Sequence, residues 1–200
     1  MTIVLATHNK HKREELEAVL QKELGDVTVR SLDDIPNAPE DIEETGDTLE
    51  ENALIKARAV HAVCHLPTIA DDTGLEVDAL NGAPGVYSAR YAGEHATYED
   101  NYRKLLNALQ NANLRNAKFA TVIAYIDANN KEHLFRGEVD GIITESPRGT
   151  AGFGYDPVFQ PIEDERGRTF AEMNSGEKHA ISHRGRATRA FVEYLIALSR

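Results

Sequence analysis

Apolar residues along the chain alternate between short β-branched runs and longer stripes of helical period. Thr2 to Ala6 is an apolar, β-branched run and reads as a buried strand. It breaks at Thr7-His8-Asn9, and Leu16, Val19, Leu20 and Leu24 then share one helical face, with Asn9 suited to the N-cap. Val27 to Leu32 reads as a second strand, and an acidic, proline-containing loop covers Asp33 to Asp47. A second helix starts near Thr48, where Thr48 and Glu51 fit a capping box, and Ala53, Ala57, Val60 and Cys64 form its stripe. Pro67 to Ala70 is a short strand leading into Asp71-Asp72-Thr73-Gly74, whose composition has turn character.

The second half repeats the alternation. Thr97 to Leu109 reads as a helix with Tyr98, Tyr102, Leu105, Leu106 and Leu109 facing inward. Phe119 to Ile126 is apolar at nearly every position, as expected of a central strand covered on both faces. Asp127-Ala128-Asn129-Asn130 turns it into a strand around His133 to Arg136, giving a hairpin. The last helix runs from about Arg186 and presents Phe191, Leu195 and Leu198. Strands and helices intermix with at least one antiparallel pair, which defines an α/β class with a mixed sheet. No linker separates two halves, so residues 1–200 are expected to form one domain.

Charge narrows the range of partners. The 22 basic and 33 acidic residues leave a formal charge of −11, which repels a nucleic-acid backbone from any broad face. A small anion remains acceptable where basic groups converge or a metal intervenes. Cys64 is the single cysteine, so no intramolecular disulfide forms. The N-terminal apolar run is too short for a signal segment or membrane span, and a cytoplasmic location without a membrane partner is expected.

Four segments can carry chemistry. Thr7 to Lys12 lies between a strand and a helix start, where free N–H groups and the helix dipole favour anions. It lacks the glycines of a Walker loop, and a capped helix with solvated lysines fits it as well. Asp71-Asp72 follows apolar Ile69-Ala70, and successive side chains of an extended chain point to opposite faces. One of the two can then hold magnesium or take a proton from water, with Glu43-Glu44 supplying a second carboxylate; otherwise these are a polar turn and a solvated charge run. Gly149 to Pro157 combines glycines with Phe153 and Tyr155, which can stack on a base or anchor the loop in the core. Lys178, His183 and Arg184 are donors just ahead of the last helix, fit for phosphate or keto oxygens, or for pairing with surface carboxylates. The remaining histidines lack zinc-ligand spacing.

Taken in order, these segments resemble the non-canonical purine nucleoside triphosphate pyrophosphatases, the inosine/xanthosine triphosphate pyrophosphatase family. The resemblance runs over nearly the whole chain. It begins with Thr7, Asn9 and Lys12 as T-x-N-x-x-K, then Glu43-Glu44-Thr45-Gly46, Glu51-Asn52-Ala53 and Ala70-Asp71-Asp72-Thr73-Gly74-Leu75. Ala83 to Arg90, Gly152-Phe153-Gly154-Tyr155-Asp156-Pro157 and Ser182-His183-Arg184 follow in the same order. His8 and His11 stand where many relatives carry a small residue, and Thr73 where serine is frequent.

The resemblance implies an elongated mixed sheet with flanking helices, forming two lobes around a central cleft, and a homodimer. It implies that Thr7, His8, Asn9, Lys10, His11 and Lys12 hold the triphosphate with help from Lys56. Glu44 and Asp72 would bind Mg2+, and Asp72 would also accept the proton of the attacking water. Thr73, Phe153, Gly154, Tyr155, Asp156, Lys178, His183 and Arg184 would contact the nucleotide. The implied activity is hydrolysis of inosine, deoxyinosine and xanthosine triphosphates to the monophosphate and pyrophosphate. The alternatives are a nucleotide sensor without turnover and a magnesium-dependent hydrolase that releases orthophosphate.

Overall fold

The computed structural model describes residues 1–8 and 10–198, with the side chains of residues 10–12 and 15 outside the described set. Among the described residues, seven strands form one mixed sheet: β1 (Thr2–Leu5), β2 (Thr28–Arg30), β3 (Thr68–Val77), β4 (Pro84–Gly85), β5 (Asn116–Ile126), β6 (Glu132–Ile143) and β7 (Phe159–Pro161). Their order is β2-β1-β3-β5-β6-β7, and β4 pairs with β3 off this path. The β1–β2 and β1–β3 pairs are parallel, whereas β3–β4 and β6–β7 are antiparallel. Among the described residues, five α-helices flank the sheet: α1 (Lys10–Leu24), α2 (Leu49–Cys64), α3 (Tyr98–Ala108), α4 (Ser175–Ile181) and α5 (His183–Leu198). This is the mixed α/β fold expected from the alternation of periods.

The chain divides into two compact units. The first comprises Met1–Asp72, Val122–Arg136 and Ala187–Arg200; the second comprises Thr73–Thr121 and Gly137–Arg186. In the first, the pleat of β1 sends Ile3 and Leu5 to one face and Val4 to the other. Ile3 and Leu5 join Leu20, Val29, Ile69, Ile123 and Phe191, while Val4 packs with Leu32, Ile35 and Val60. Both faces of β1 are therefore covered, which is why Ile3, Val4 and Leu5 are all apolar. In the second unit, Leu75, Leu105, Phe119, Val139, Phe159 and Phe170 form the core.

Several local expectations are corrected. Asp71 to Gly74 is not a turn: β3 continues through it to Val77, because Gly74 is buried and Leu75 and Val77 return the strand to the core. The second strand is only Thr28–Arg30, and Leu32 enters a 3-10 turn over Leu32–Asp34. At α2, Thr48 accepts from the Glu51 N–H, but the Glu51 carboxylate takes the N–H of Asp47 rather than that of Thr48, so half of the expected box forms. Tyr98 does not face inward. It is the first residue of α3 and is 59% exposed. The last helix begins at His183, where Ser182 Oγ accepts from Gly185 N; His183 and Arg184 lie on α5 and Lys178 on α4 rather than ahead of a helix.

Candidate active site

In the first unit, parallel pairing matches Val4 with Thr68 and Leu5 with Ile69. Ala6 N then donates to Ile69 O, so β1 ends where β3 reaches Asp71 and Asp72. α2 carries Asn52 and Lys56 one turn apart on a single face. Asn52 is fully buried and its Oδ1 accepts from Gly46 N at 2.8 Å. A Cβ on Gly46 would meet Glu51 Cβ at 2.6 Å and Asn52 Oδ1 at 2.8 Å, so the loop carrying Glu44 sits against α2 only as glycine.

That anchoring delivers Glu44 to Lys56. The Lys56 ammonium donates to Glu44 Oε1 at 2.7 Å and to Asp72 Oδ1 at 3.0 Å, and only 14% of its side chain is exposed. Burial alone would depress the Lys56 pKa, but Asp72 and Glu44 outweigh it and hold the ammonium charged above the usual lysine value. The Asp72 pKa also lies above that of a normal carboxylate: burial raises it, Lys56 opposes and Glu44 adds to the rise. Asn52 assists the charged form weakly, yet no formed hydrogen bond reaches Asp72 Oδ2, which is buried without a partner. The result is a carboxylate with one oxygen engaged and one poised for a ligand or a proton. Asp71, its neighbour on the opposite face of β3, is half-buried.

Among the described residues no group of three or more His, Cys, Asp or Glu side chains forms a metal cage. Magnesium does not require one, because it is commonly held by one or two carboxylates with substrate phosphates and water. Glu44 and Asp72, with the unpartnered buried Oδ2, fit that mode.

The remaining phosphate-loop candidates are seen in part. Thr7 O accepts from Leu32 N at 3.1 Å, and the exposed His8 ring pairs with Asp33 through Nδ1 at 2.8 Å. Asn9 and the side chains of Lys10, His11 and Lys12 lie outside the described residues.

The second unit gathers the other candidates around one carboxylate. Asp156 is 3% exposed, and its Oδ2 accepts from both Phe153 N at 2.8 Å and Lys178 Nζ at 2.5 Å. The loop reaches this geometry through Gly152 and Gly154, both at positive φ. Phe153 is thereby turned outward, with Lys178 Nζ 4.9 Å and the Arg184 guanidinium carbon 5.4 Å from its ring centroid. Cations at this range are attracted to an aromatic ring and leave N–H donors beside it. Tyr155 and His183 point inward instead. Tyr155 is 4% exposed and donates to Ser88 O, and His183 stacks on Phe119 with centroids 4.5 Å apart. Thr73 Oγ1 shares a 2.7 Å hydrogen bond with Thr121 Oγ1.

Two residues here carry no site role in the sequence reading, although Asn52 stands in the Glu51-Asn52-Ala53 motif. The signal for Asn52 was its position four residues before Lys56. Tyr98, which touches Phe153, is read from the sequence only as an inward-facing helix residue, and nothing there marks it for a site.

The model of the Ham1 family matches residues 3–194. The chain is 47% identical over 197 residues to a dITP/XTP pyrophosphatase of Flavobacterium johnsoniae, spanning 98% of this chain and 99% of the relative. It is 50% identical over 198 residues to a dITP/XTP pyrophosphatase of Thermoanaerobacter sp., spanning 98% and 97%. A solved HAM1 protein from Coxiella burnetii superimposes with a TM-score of 0.90 at 41% identity, covering 98% of this chain and 99% of that one. Matched from residue 3 to residue 194, and sharing its fold with that solved member, the chain belongs to the Ham1 family.

Proposed function

We propose that the chain hydrolyses non-canonical purine nucleoside triphosphates, namely inosine, deoxyinosine and xanthosine triphosphates, to the nucleoside monophosphate and pyrophosphate. The observation that carries this reading is Asp72: a buried carboxylate of raised basicity, bridged to Glu44 by Lys56, with Oδ2 unengaged. The names of the relatives supply the substrate class.

Asp72 accepts a proton from a water that attacks the α-phosphorus, the bond to the bridging oxygen breaks, and pyrophosphate departs. Glu44 and Asp72 would hold Mg2+, which supplies neutralising charge at the phosphate oxygens. Lys56 balances the two carboxylates and offers its ammonium to the phosphates. Thr7, His8, Asn9, Lys10, His11 and Lys12 are assigned to the triphosphate. Thr73, Lys178, His183, Arg184 and the Phe153–Asp156 loop are assigned to the nucleoside, with Tyr155 and His183 acting from the core as supports.

Base selection follows from donor chemistry. Lys178 and Arg184 offer N–H groups and no acceptor. A 6-keto purine satisfies them, whereas the 6-amino group of adenine leaves them unpaired. Guanine shares the keto group, so these donors alone do not reject it. The chain is assigned as a single catalytic domain acting as a cytoplasmic homodimer on a small nucleotide. Its net charge of −11 disfavours nucleic acid as a partner, and among the described residues no helix is long and apolar enough to cross a membrane.

The test is a panel of nucleoside triphosphates with magnesium, scored for pyrophosphate and orthophosphate. Pyrophosphate from inosine and xanthosine triphosphates, with adenosine triphosphate far slower, is the expected result. Orthophosphate alone would place the cleavage at the γ-phosphorus. Binding without turnover would make the protein a sensor.

A further inference from the structure

Two of the exposed large side chains of the second unit touch each other. Tyr98 and Phe153 are 59% and 48% exposed, and their ring centroids lie 6.1 Å apart with planes tilted by 41°. Each ring is carried by backbone fixed without the other. Tyr98 opens α3 behind a complete capping box: Thr97 Oγ1 accepts from Asp100 N at 3.1 Å, and Asp100 Oδ2 accepts from Thr97 N at 2.9 Å. Phe153 is set by its N–H on Asp156. The pair therefore contributes little to the core, while Lys178 and Arg184 place donors beside the same ring.

We infer that Tyr98 is a further base-recognition residue, covering Phe153 in the free protein and forming a second aromatic wall against the purine of a bound nucleotide. The inference rests on the reading of Phe153 as the ring that stacks on the base. A base between two parallel rings needs about 7 Å, twice the ~3.5 Å optimal separation of carbons. The present 6.1 Å and 41° tilt fall short of that, so Tyr98 must swing aside and return flat on the base. Its exposure leaves room for that rotation, and exposed side chains change rotamer in picoseconds to nanoseconds. Stacking uses the π-face that every base presents, so this wall tightens binding without choosing between keto and amino purines. That separates its role from the one assigned to Arg184.

The chain contains no tryptophan, so Tyr98→Trp introduces a single indole whose emission reports what lies against it. Titration of this variant with inosine monophosphate is expected to quench emission to saturation, and inorganic pyrophosphate to leave it unchanged. Tyr98→Ala is expected to raise KM for inosine triphosphate by about 5-fold or more, the low end of base stacking, with a much smaller change in kcat. Tyr98→Phe should restore KM. Unaltered affinity for inosine monophosphate in Tyr98→Ala, measured by equilibrium dialysis, would overturn the inference. So would unquenched emission at saturating nucleotide, or a change of oligomeric state with affinity intact, which would make the pair a contact between copies. If quenching and the Tyr98→Ala affinity loss are seen but no triphosphate yields pyrophosphate, the hydrolytic reading fails and the role of Tyr98 stands.

Discussion

Lys56 binds Asp72 with the same ammonium that binds Glu44, at 3.0 Å and 2.7 Å. A single cation thus holds together two carboxylates that would otherwise repel, and it leaves the second oxygen of Asp72 unengaged. The arrangement assigns unequal weight to the two adjacent aspartates. Asp72→Asn keeps the shape but removes the charge and the basic oxygen, so turnover should fall at least ~100-fold, the ordinary reach of general-base catalysis. Asp71→Asn should cost far less, because its side chain lies on the opposite face of β3. Steady-state pyrophosphate release at saturating magnesium checks both. Near-normal turnover in Asp72→Asn would remove it from the mechanism.

Removing the ammonium should expose the repulsion it relieves. Lys56→Met leaves Glu44 and Asp72 facing each other, and breaking a largely buried ion pair in this way costs about 3–5 kcal/mol at full burial, less here because Glu44 is 25% exposed. Magnesium should then recover more melting temperature in Lys56→Met than in the parent, since a divalent ion takes over the vacated counter-charge. Melting curves with magnesium and with a chelator decide it. Equal magnesium shifts in the two proteins would count against Glu44 and Asp72 as ligands.

Arg184 separates base selection from scaffold. Leaving a buried donor unpaired costs ~1–3 kcal/mol, or ~5–150-fold in efficiency. Arg184→Ala should therefore hurt inosine and xanthosine triphosphates far more than adenosine triphosphate. Equal losses of kcat/KM on keto and amino purines would move Arg184 to the phosphates or to the fold.

Gly152 has no room for a side chain. A Cβ there would lie 2.0 Å from Asp156 Oδ2, at a φ of +76° that already disfavours other residues. Gly152→Ala should cost about 1–3 kcal/mol from the backbone alone. It should also weaken inosine monophosphate binding, while inhibition by inorganic pyrophosphate stays close to that of the parent. Calorimetric titration with each ligand tests the split.

The β5–β6 turn supplies a pH-dependent contribution remote from the chemistry. Burial would raise the Asp127 pKa, but the His133 ring and the N–H groups of Lys131 and Asn129 outweigh it and hold the carboxyl below 3.8. A depressed carboxylate stabilises the fold above its unfolded pKa and loses that contribution as pH falls through the folded value. Asp127→Ala should melt roughly 2–4 °C lower at neutral pH, about 1 kcal/mol for a chain of this length. The gap should narrow as pH drops below 3.8. A gap of constant size down to acid would show that the charge is immaterial.

Much of the fold was legible because burial repeats at fixed periods. β1, α2 and β5 announce themselves through covered faces, and the structure buries their stripes except at Cys64, which is half-buried. Misreadings arose where a local signal competes with long-range pairing. Asp71 to Gly74 has turn composition, yet Leu75 N donates to Ser88 Oγ and the strand runs on. Gly185 hid the start of α5, since glycine weakens a helix that Ser182 nonetheless caps. Tyr98 keeps helical phase with Leu105, but phase does not say where the packing partner ends. At the site, resemblance singled out Glu44 and Asp72, whereas the bridge through Lys56 depends on the path of the Glu44 loop, which composition does not encode.

The two demands on Asp156 Oδ2 have a consequence for substitutions in pairs. One oxygen serves both the Phe153 N–H and the Lys178 ammonium, so changes at Gly152 and at Lys178 act on a common partner. Once Gly152→Ala has displaced that oxygen, loss of Lys178 has little left to remove. The double variant should then fall short of the sum of its parts, as expected of residues sharing one network. Such coupling makes the loop and α4 inherit change together: a sequence that drifts at one position lowers the cost of drifting at the other.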